Sequence, residues 1–170
     1  DIVVTAAGGL VGEVVQVWKP KQLNTFETEW GFSCMGYEIS GALGIKMAKP
    51  DQDVVVFVGD GSYLLNNTDI YSSVNYDQKL IIIVCDNGGH MVINRLQLAK
   101  GGKEYICNLR AARATNLKFV DFENHAKSMG ANAETVSSTS ELEAAFKRAK
   151  DSDKTYVITI KTHGYEWLEG

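Results

Sequence analysis

The sequence is poor in proline, poor in cysteine and nearly balanced in charge. It has 2 prolines in 170 residues, which excludes collagen-like and proline-rich linker architectures. Its 3 cysteines, Cys34, Cys85 and Cys107, are an odd set without a CxxC pair. That pattern argues against a disulfide framework or a zinc site and favours a reducing, cytoplasmic setting. No apolar run approaches the ~20 residues of a membrane helix. The longest, at 80–85, has strand length. The net charge is −4 and no basic stripe is present, so neither nucleic acid nor membrane is an expected partner.

What is present suffices for a packed core. Hydrophobic residues make up 45% of the chain and charged residues 22%. A chain of this size buries about two-thirds of its unfolded surface and needs no staples. Residues 1–170 are expected to form a single domain, without repeats or linkers. The chain opens on Asp1 without methionine or a signal-peptide pattern, and is expected to be a fragment of a longer enzyme.

Short β-rich runs alternate with helical patterns. Strands are expected at 2–5, 54–58, 80–85, 118–120, 133–136 and 156–161. The runs at 54–58 and 80–85 are continuously apolar, as in strands covered on both faces of a parallel sheet. Ser140 with Glu143 predicts a capping box, and Asp121 predicts a helix start closed at Gly130. Met35, Ile39, Leu43 and Met47 recur at helical spacing before Pro50, among five small residues that cost helix propensity. Asn67 or Thr68 predicts a further helix start. Alternation of this kind gives βαβ units, hence an α/β fold: a three-layer α/β/α sandwich with a mainly parallel sheet.

Ligands of such sheets bind beyond the carboxyl ends of the strands. Two ends are distinctive: 54–58 runs into Gly59-Asp60-Gly61-Ser62, and 80–85 into Asp86-Asn87-Gly88-Gly89. Asp-Gly and Asn-Gly are ordinary turn dipeptides in isolation. Directly after buried-type strands, each delivers an oxygen ligand beside glycines that admit close backbone approach. One carboxylate and one amide oxygen suit a hard cation such as Mg²⁺, which completes its octahedron with phosphate and water. Free amides of the Gly61–Ser62 turn suit a phosphate.

With 25 residues (62–86) between Gly61 and Asn87, the pair resembles the fingerprint of the thiamine-diphosphate enzyme family. The resemblance spans the chain and implies the thiamine-diphosphate-binding fold. It implies Asp60, Asn87 and the Gly89 carbonyl as Mg²⁺ ligands. Trp30-Gly-Phe-Ser-Cys-Met-Gly36 is similar to the segment that grips the cofactor's aminopyrimidine ring, so the resemblance implies contacts at Ser33 and Met35. Thr5-Ala-Ala-Gly-Gly-Leu10 is similar to another part of the diphosphate cradle, through Gly9 and Leu10. The resemblance is strongest to members that hydrolyse a ring C–C bond of a cyclic 1,2-diketone; a carboligase or 2-keto-acid decarboxylase is the alternative. It further implies a homo-oligomer in which a partner subunit's pyrimidine-binding domain supplies the activating glutamate. Glu27, Glu29 and Glu38 are not assigned that role, no catalytic residue is expected on this chain, and the fragment alone is expected to be inactive. A non-catalytic binding module and a dinucleotide-binding domain are the rival classes. The latter needs an acidic residue at a strand end near Glu27 or Glu29, where no apolar strand is expected. His90 could contact substrate, though a loop histidine is the simpler reading, and 98–109 reads as a mobile cover.

Overall fold

The architecture follows from two continuous apolar runs laid side by side. The structure, a computed structural model, describes residues 1–109 and 120–164. Six strands form one wholly parallel sheet: β1 (Ile2–Thr5), β2 (Phe26–Thr28), β3 (Val54–Gly59), β4 (Ile81–Asp86), β5 (Asn132–Val136) and β6 (Tyr156–Lys161). Their order is β2-β1-β3-β4-β6-β5. β1, β3 and β4 occupy the middle, where both faces are covered, and their residues are almost all buried.

The helices are α1 (Gly8–Val17), α2 (Tyr37–Ala48), α3 (Asp60–Leu65), α4 (Asp69–Asn75), α5 (Met91–Ala99), α6 (Phe122–Ser128) and α7 (Thr139–Asp151). One core joins Val4, Val56 and Ile82 to α2, α3, α4 and α6 through Ile39, Tyr63, Ile70 and Phe122. The other joins Val3, Val55 and Ile81 to α1 and α7 through Val14 and Ala145. Successive residues of one strand thus feed opposite cores, as a pleated sheet requires. The expected three-layer sandwich is the fold observed.

Several local expectations change. β2 was not anticipated: it is a three-residue edge strand, half-buried, with too few apolar residues to signal itself. It supplies the strand near Glu29 that the dinucleotide reading lacked, but the Glu29 carboxylate is tied to the amides of Phe32 and Cys34. The cap of α7 is Ser138, whose hydroxyl accepts from the Glu141 amide. The carboxylate of Glu141 in turn accepts from the Ser137 amide. The capping pair therefore lies two positions before Ser140 and Glu143. Thr68 is the N-cap of α4 without a side-chain cap bond. Asp121 caps α6 as expected, and Gly130 follows its end with φ +88°. Met35 lies before α2, not within it, and Met47 is exposed. The buried face of α2 is carried by Ile39, Ala42 and Leu43. Of the expected strand at 118–120, only Val120 lies within the described residues, outside any strand.

Candidate functional site

The chain runs outward from β1 to β2 on one side and crosses to β3 on the other. Such a reversal opens a crevice at the carboxyl ends of the strands. There the ends of β1, β3 and β4 meet the starts of α1, α3 and α5 around a cleft of about 210 Å³. Gly9, Leu10, Ser33, Met35, Asp60, Gly61, Ser62, Asn87 and Gly89 all line it. Four separate stretches of sequence are therefore brought to one place.

The tips of β3 and β4 are adjacent, with Gly59 paired to Cys85. Asp60 leaves β3 with its side chain 2% exposed. One carboxylate oxygen accepts from the amides of Gly88 at 3.0 Å and Gly89 at 2.7 Å; the other accepts from Gly61 at 3.0 Å. These bonds favour the ionised form, but burial first and the Asp86 charge second outweigh them. The Asp60 carboxyl is pushed up to about 6. Asp86 itself is paired with Lys161 on β6. The wide turns at Gly88 (φ +88°) and Gly89 (φ +140°) aim their amides at Asp60. A side chain at Gly89 would run into the Cys107 carbonyl.

Between them stands Asn87. Its side-chain oxygen is buried and takes no hydrogen bond among the described residues. An orphaned buried acceptor costs ~1–3 kcal/mol unless a ligand or water reaches it. Asn87 also borders an adjoining cavity of about 260 Å³ with Glu13, Thr162 and His163. No group of three His, Cys, Asp or Glu side chains is arranged to hold a metal among the described residues. The donors at the tips are instead one carboxylate, one amide oxygen and backbone. That hard-oxygen set fits Mg²⁺ shared with a phosphate and does not fit zinc.

The other wall is built by close packing. α1 begins at the cleft, with Ala7 as its N-cap and Gly9 and Leu10 in its first turn. The start of α5 lies across from it, contributing Met91, Val92 and Ile93. Unpaired N–H groups at such termini favour anions. At Gly61 a methyl group would stand 2.6 Å from His90 Nδ1 and 3.4 Å from Met35 Cε. His90 therefore lies over Gly61 inside the cleft and is not a free loop histidine. Met35, 39% exposed, is a cleft residue and not core. Ser33 stands at φ +51°.

The segment 98–109, expected to be a mobile cover, is anchored. His90 N donates to the Cys107 carbonyl at 2.8 Å and Leu109 N to Gly88 O at 2.9 Å. Glu104 accepts from Asn94 and Asn108, both buried. These bonds hold residues 104–109 on α5 and the β4 tip. His125, expected to be structural, bonds the Tyr63 hydroxyl at 2.9 Å.

The structural roles of two residues near the cleft were not read from the sequence. Asn66 bonds the Gly36 carbonyl and the Ser40 hydroxyl, fixing the turn before α2. Glu38 is 1% exposed, and its carboxylate accepts from Gly36 and Ala7. A lone glutamate two residues after a glycine carries no pattern that distinguishes it.

Comparison with known proteins places these features in context. The family described as thiamine pyrophosphate enzyme, C-terminal TPP binding domain, matches residues 6–160. A 3D-(3,5/4)-trihydroxycyclohexane-1,2-dione hydrolase of Halalkalibacterium halodurans is 38% identical over 98% of this chain and 27% of its own length. The hydrolase of the same name from Bacillus subtilis is 36% identical, with the same coverages. The chain thus spans about a quarter of the curated relatives it matches. A thiamine diphosphate-dependent 4-hydroxybenzoylformate decarboxylase of Rhodococcus jostii superposes with TM-score 0.77 over 99% of this chain and 30% of its own, at 21% identity. That likeness concerns the fold.

Proposed function

The chain belongs to the thiamine pyrophosphate enzymes as their C-terminal TPP-binding domain, and from that premise we propose that it holds the diphosphate end of thiamine diphosphate in a ring-opening hydrolase. The substrate is trihydroxycyclohexane-1,2-dione, a cyclic diketone of myo-inositol breakdown. The sequence similarity to hydrolases of that name supports this over carboligation or decarboxylation. The observation that carries the reading is the buried Asn87 oxygen, unpartnered among the described residues, at the strand tip next to the buried Asp60 carboxylate.

In this reading Asp60, Asn87 and the Gly89 carbonyl hold Mg²⁺. Asn87 would there give its unpartnered oxygen to the ion and Asp60 its carboxylate. Amides of Gly9 and Leu10 at the α1 terminus, with Gly61 and Ser62, receive the diphosphate oxygens. Ser33 and Met35 meet the pyrimidine end. Bound thiamine diphosphate supplies an electron sink for cleaving a carbon–carbon bond next to a carbonyl. This chain orients that group and balances its charge. Glu27, Glu29 and Glu38 do not serve as the activating carboxylate. Glu29 is occupied by Phe32 and Cys34, and Glu38 by Gly36 and Ala7. The activating group comes from the pyrimidine-binding domain of a partner subunit, in a homo-oligomer, and the fragment alone is inactive. The reaction is placed in the cytoplasm, where free thiols persist; Cys34, Cys85 and Cys107 are all free. No helix among the described residues is long and apolar enough to cross a membrane.

The test is product mass. The full-length protein, given the cyclic diketone, thiamine diphosphate and Mg²⁺, should yield one product heavier than substrate by one water. A coupled product joining two substrate-derived fragments, or release of carbon dioxide from a 2-keto acid with no turnover of the diketone, would refute the assignment.

A further inference from the structure

Glu38 is a carboxylate buried near the carboxyl ends of the strands that the proposed function leaves without a task. It is the second residue of α2 and is 1% exposed. One oxygen accepts from Gly36 N at 2.9 Å and the other from Ala7 N at 3.4 Å. The Ser62 hydroxyl stands beside it and, with the two amides, favours its ionised form. These partners come from three segments distant in sequence. Ala7 is the N-cap of α1, Gly36 ends the stretch carrying Ser33 and Met35, and Ser62 follows Asp60 and Gly61. Ala7 and Ser62 line the cleft, and Gly36 adjoins Met35, which also lines it.

A helix cap alone does not require this arrangement. The Gly36 bond would satisfy the first turn of α2 from an exposed carboxylate, as surface caps do. Burial instead pushes the Glu38 carboxyl up, so the site carries a desolvation cost that a cap avoids. What the buried position adds is the bond to Ala7 and the neighbouring Ser62 hydroxyl. Gly36 is also held from its other side: its carbonyl receives the Asn66 amide at 3.1 Å, and its φ is +92°. Nothing in this cluster points at a substrate.

We propose that Glu38 is a positioning residue that locks the α1 start, the Ser33–Gly36 stretch and the Asp60–Ser62 turn into one preformed cradle before the cofactor arrives. The inference rests on the cofactor reading of the preceding subsection. A cleft assembled from separate segments binds weakly if each must be ordered by the ligand; a buried tie removes that ordering cost.

The experiment uses the full-length enzyme, wild type and Glu38→Gln, with three readouts. They are amide hydrogen exchange at Ala7 and Gly36 without cofactor, thiamine diphosphate affinity at fixed Mg²⁺, and the thermal midpoint. Glu38→Gln replaces one acceptor oxygen by a donor facing a backbone N–H. Exchange at both amides should rise ~10-fold or more and cofactor affinity should fall ~10–100-fold, the range for supporting partners of a bound group. The midpoint should stay at or above wild type, because a buried charge is removed. A purely structural cap would lower midpoint and affinity together. If wild type binds the cofactor and Glu38→Gln binds equally well, with unchanged exchange, the Glu38 proposal is overturned and the cofactor reading stands. If wild type binds no thiamine diphosphate, the cofactor reading fails and this proposal with it. Should Glu38→Gln not fold, Glu38→Asp decides. It keeps the charge but withdraws it by one methylene, so affinity should fall ~3-fold or more. Wild-type affinity in that variant overturns the proposal.

Discussion

Two regions of this sheet treat charge in opposite ways. At the β5–β6 edge, Glu134 receives both arms of Arg148, at 2.9 and 2.6 Å, and the Tyr156 hydroxyl. The Arg148 guanidinium holds its carboxyl below the usual carboxylate range. At the β3–β4 tips, Asp60 is buried with backbone amides as partners and an acidic neighbour, and its carboxyl is pushed up to about 6. At the neighbouring strand tip, the Asn87 oxygen has no partner among the described residues. Charges at the edge are arranged for the folded chain as it stands. Those at the tips are crowded and only partly balanced, with Asp60 beside Asp86 and Lys161 paired with Asp86. Buried polar groups are normally satisfied; of the six orphaned atoms among the described residues, Asn87 Oδ1 is the one whose residue lines the cleft.

The sharpest way to break this contrast is Asp60→Ala. In the full-length enzyme, turnover should fall by roughly 10²–10³-fold or more, and its Mg²⁺ dependence should vanish. Retained Mg²⁺-dependent turnover would place the cation elsewhere. Gly61→Ala comes next. Its methyl group would meet the His90 ring at 2.6 Å, and that ring can swing away into the cleft. Cofactor affinity should drop by roughly 10–100-fold while the thermal midpoint barely moves. Equal loss of both would show Gly61 serving the fold instead.

A smaller effect tests the electrostatics. The Asp60 carboxyl is raised above its unfolded value of 3.8, so the native state retains the proton that the unfolded state releases. Its stabilising contribution is full at low pH and lost as pH rises through about 6. Cofactor-free enzyme should therefore gain stability between pH 7 and 5.5, by at most ~1.4 kcal/mol per pH unit. The same slope should be absent from Asp60→Ala. With Mg²⁺ and thiamine diphosphate the order should reverse, since the cation takes the ionised form. The weakest effect belongs to the opposite edge. Glu134→Ala should cost ~1 kcal/mol or less in unfolding free energy, because the pair is partly exposed, and leave cofactor affinity unchanged. A change in affinity there would dissolve the distinction between the two regions.

The middle of the sheet was legible in the sequence because burial on both faces leaves one signature, the continuous apolar run of β3 and β4. The residues directly beyond those runs then had to be strand tips, which located Asp60 and Asn87. β2 was illegible for the complementary reason: a three-residue edge strand buries too little to impose a pattern. Met35 fitted a helical repeat with Ile39 and Leu43 yet lies outside the helix, because Gly36 turns the chain at φ +92°. Glu38 and Asn66 were missed because their roles come from long-range partners; Asn66 reaches Gly36 across thirty positions. His90 was read as a loop residue because its packing on Gly61 is a tertiary contact between two strand tips. Spacing finds groups that share a strand end and is blind to groups that fasten separate segments together.

The most direct test is a crystal structure of the full-length enzyme with thiamine diphosphate and Mn²⁺ in place of Mg²⁺, read by anomalous scattering. A single strong peak should lie about 2.1–2.3 Å from oxygens of both Asp60 and Asn87 and touch the diphosphate. A peak bound through Asp86 or Glu13, or a diphosphate seated with neither Asp60 nor Asn87 near the metal, would contradict the account.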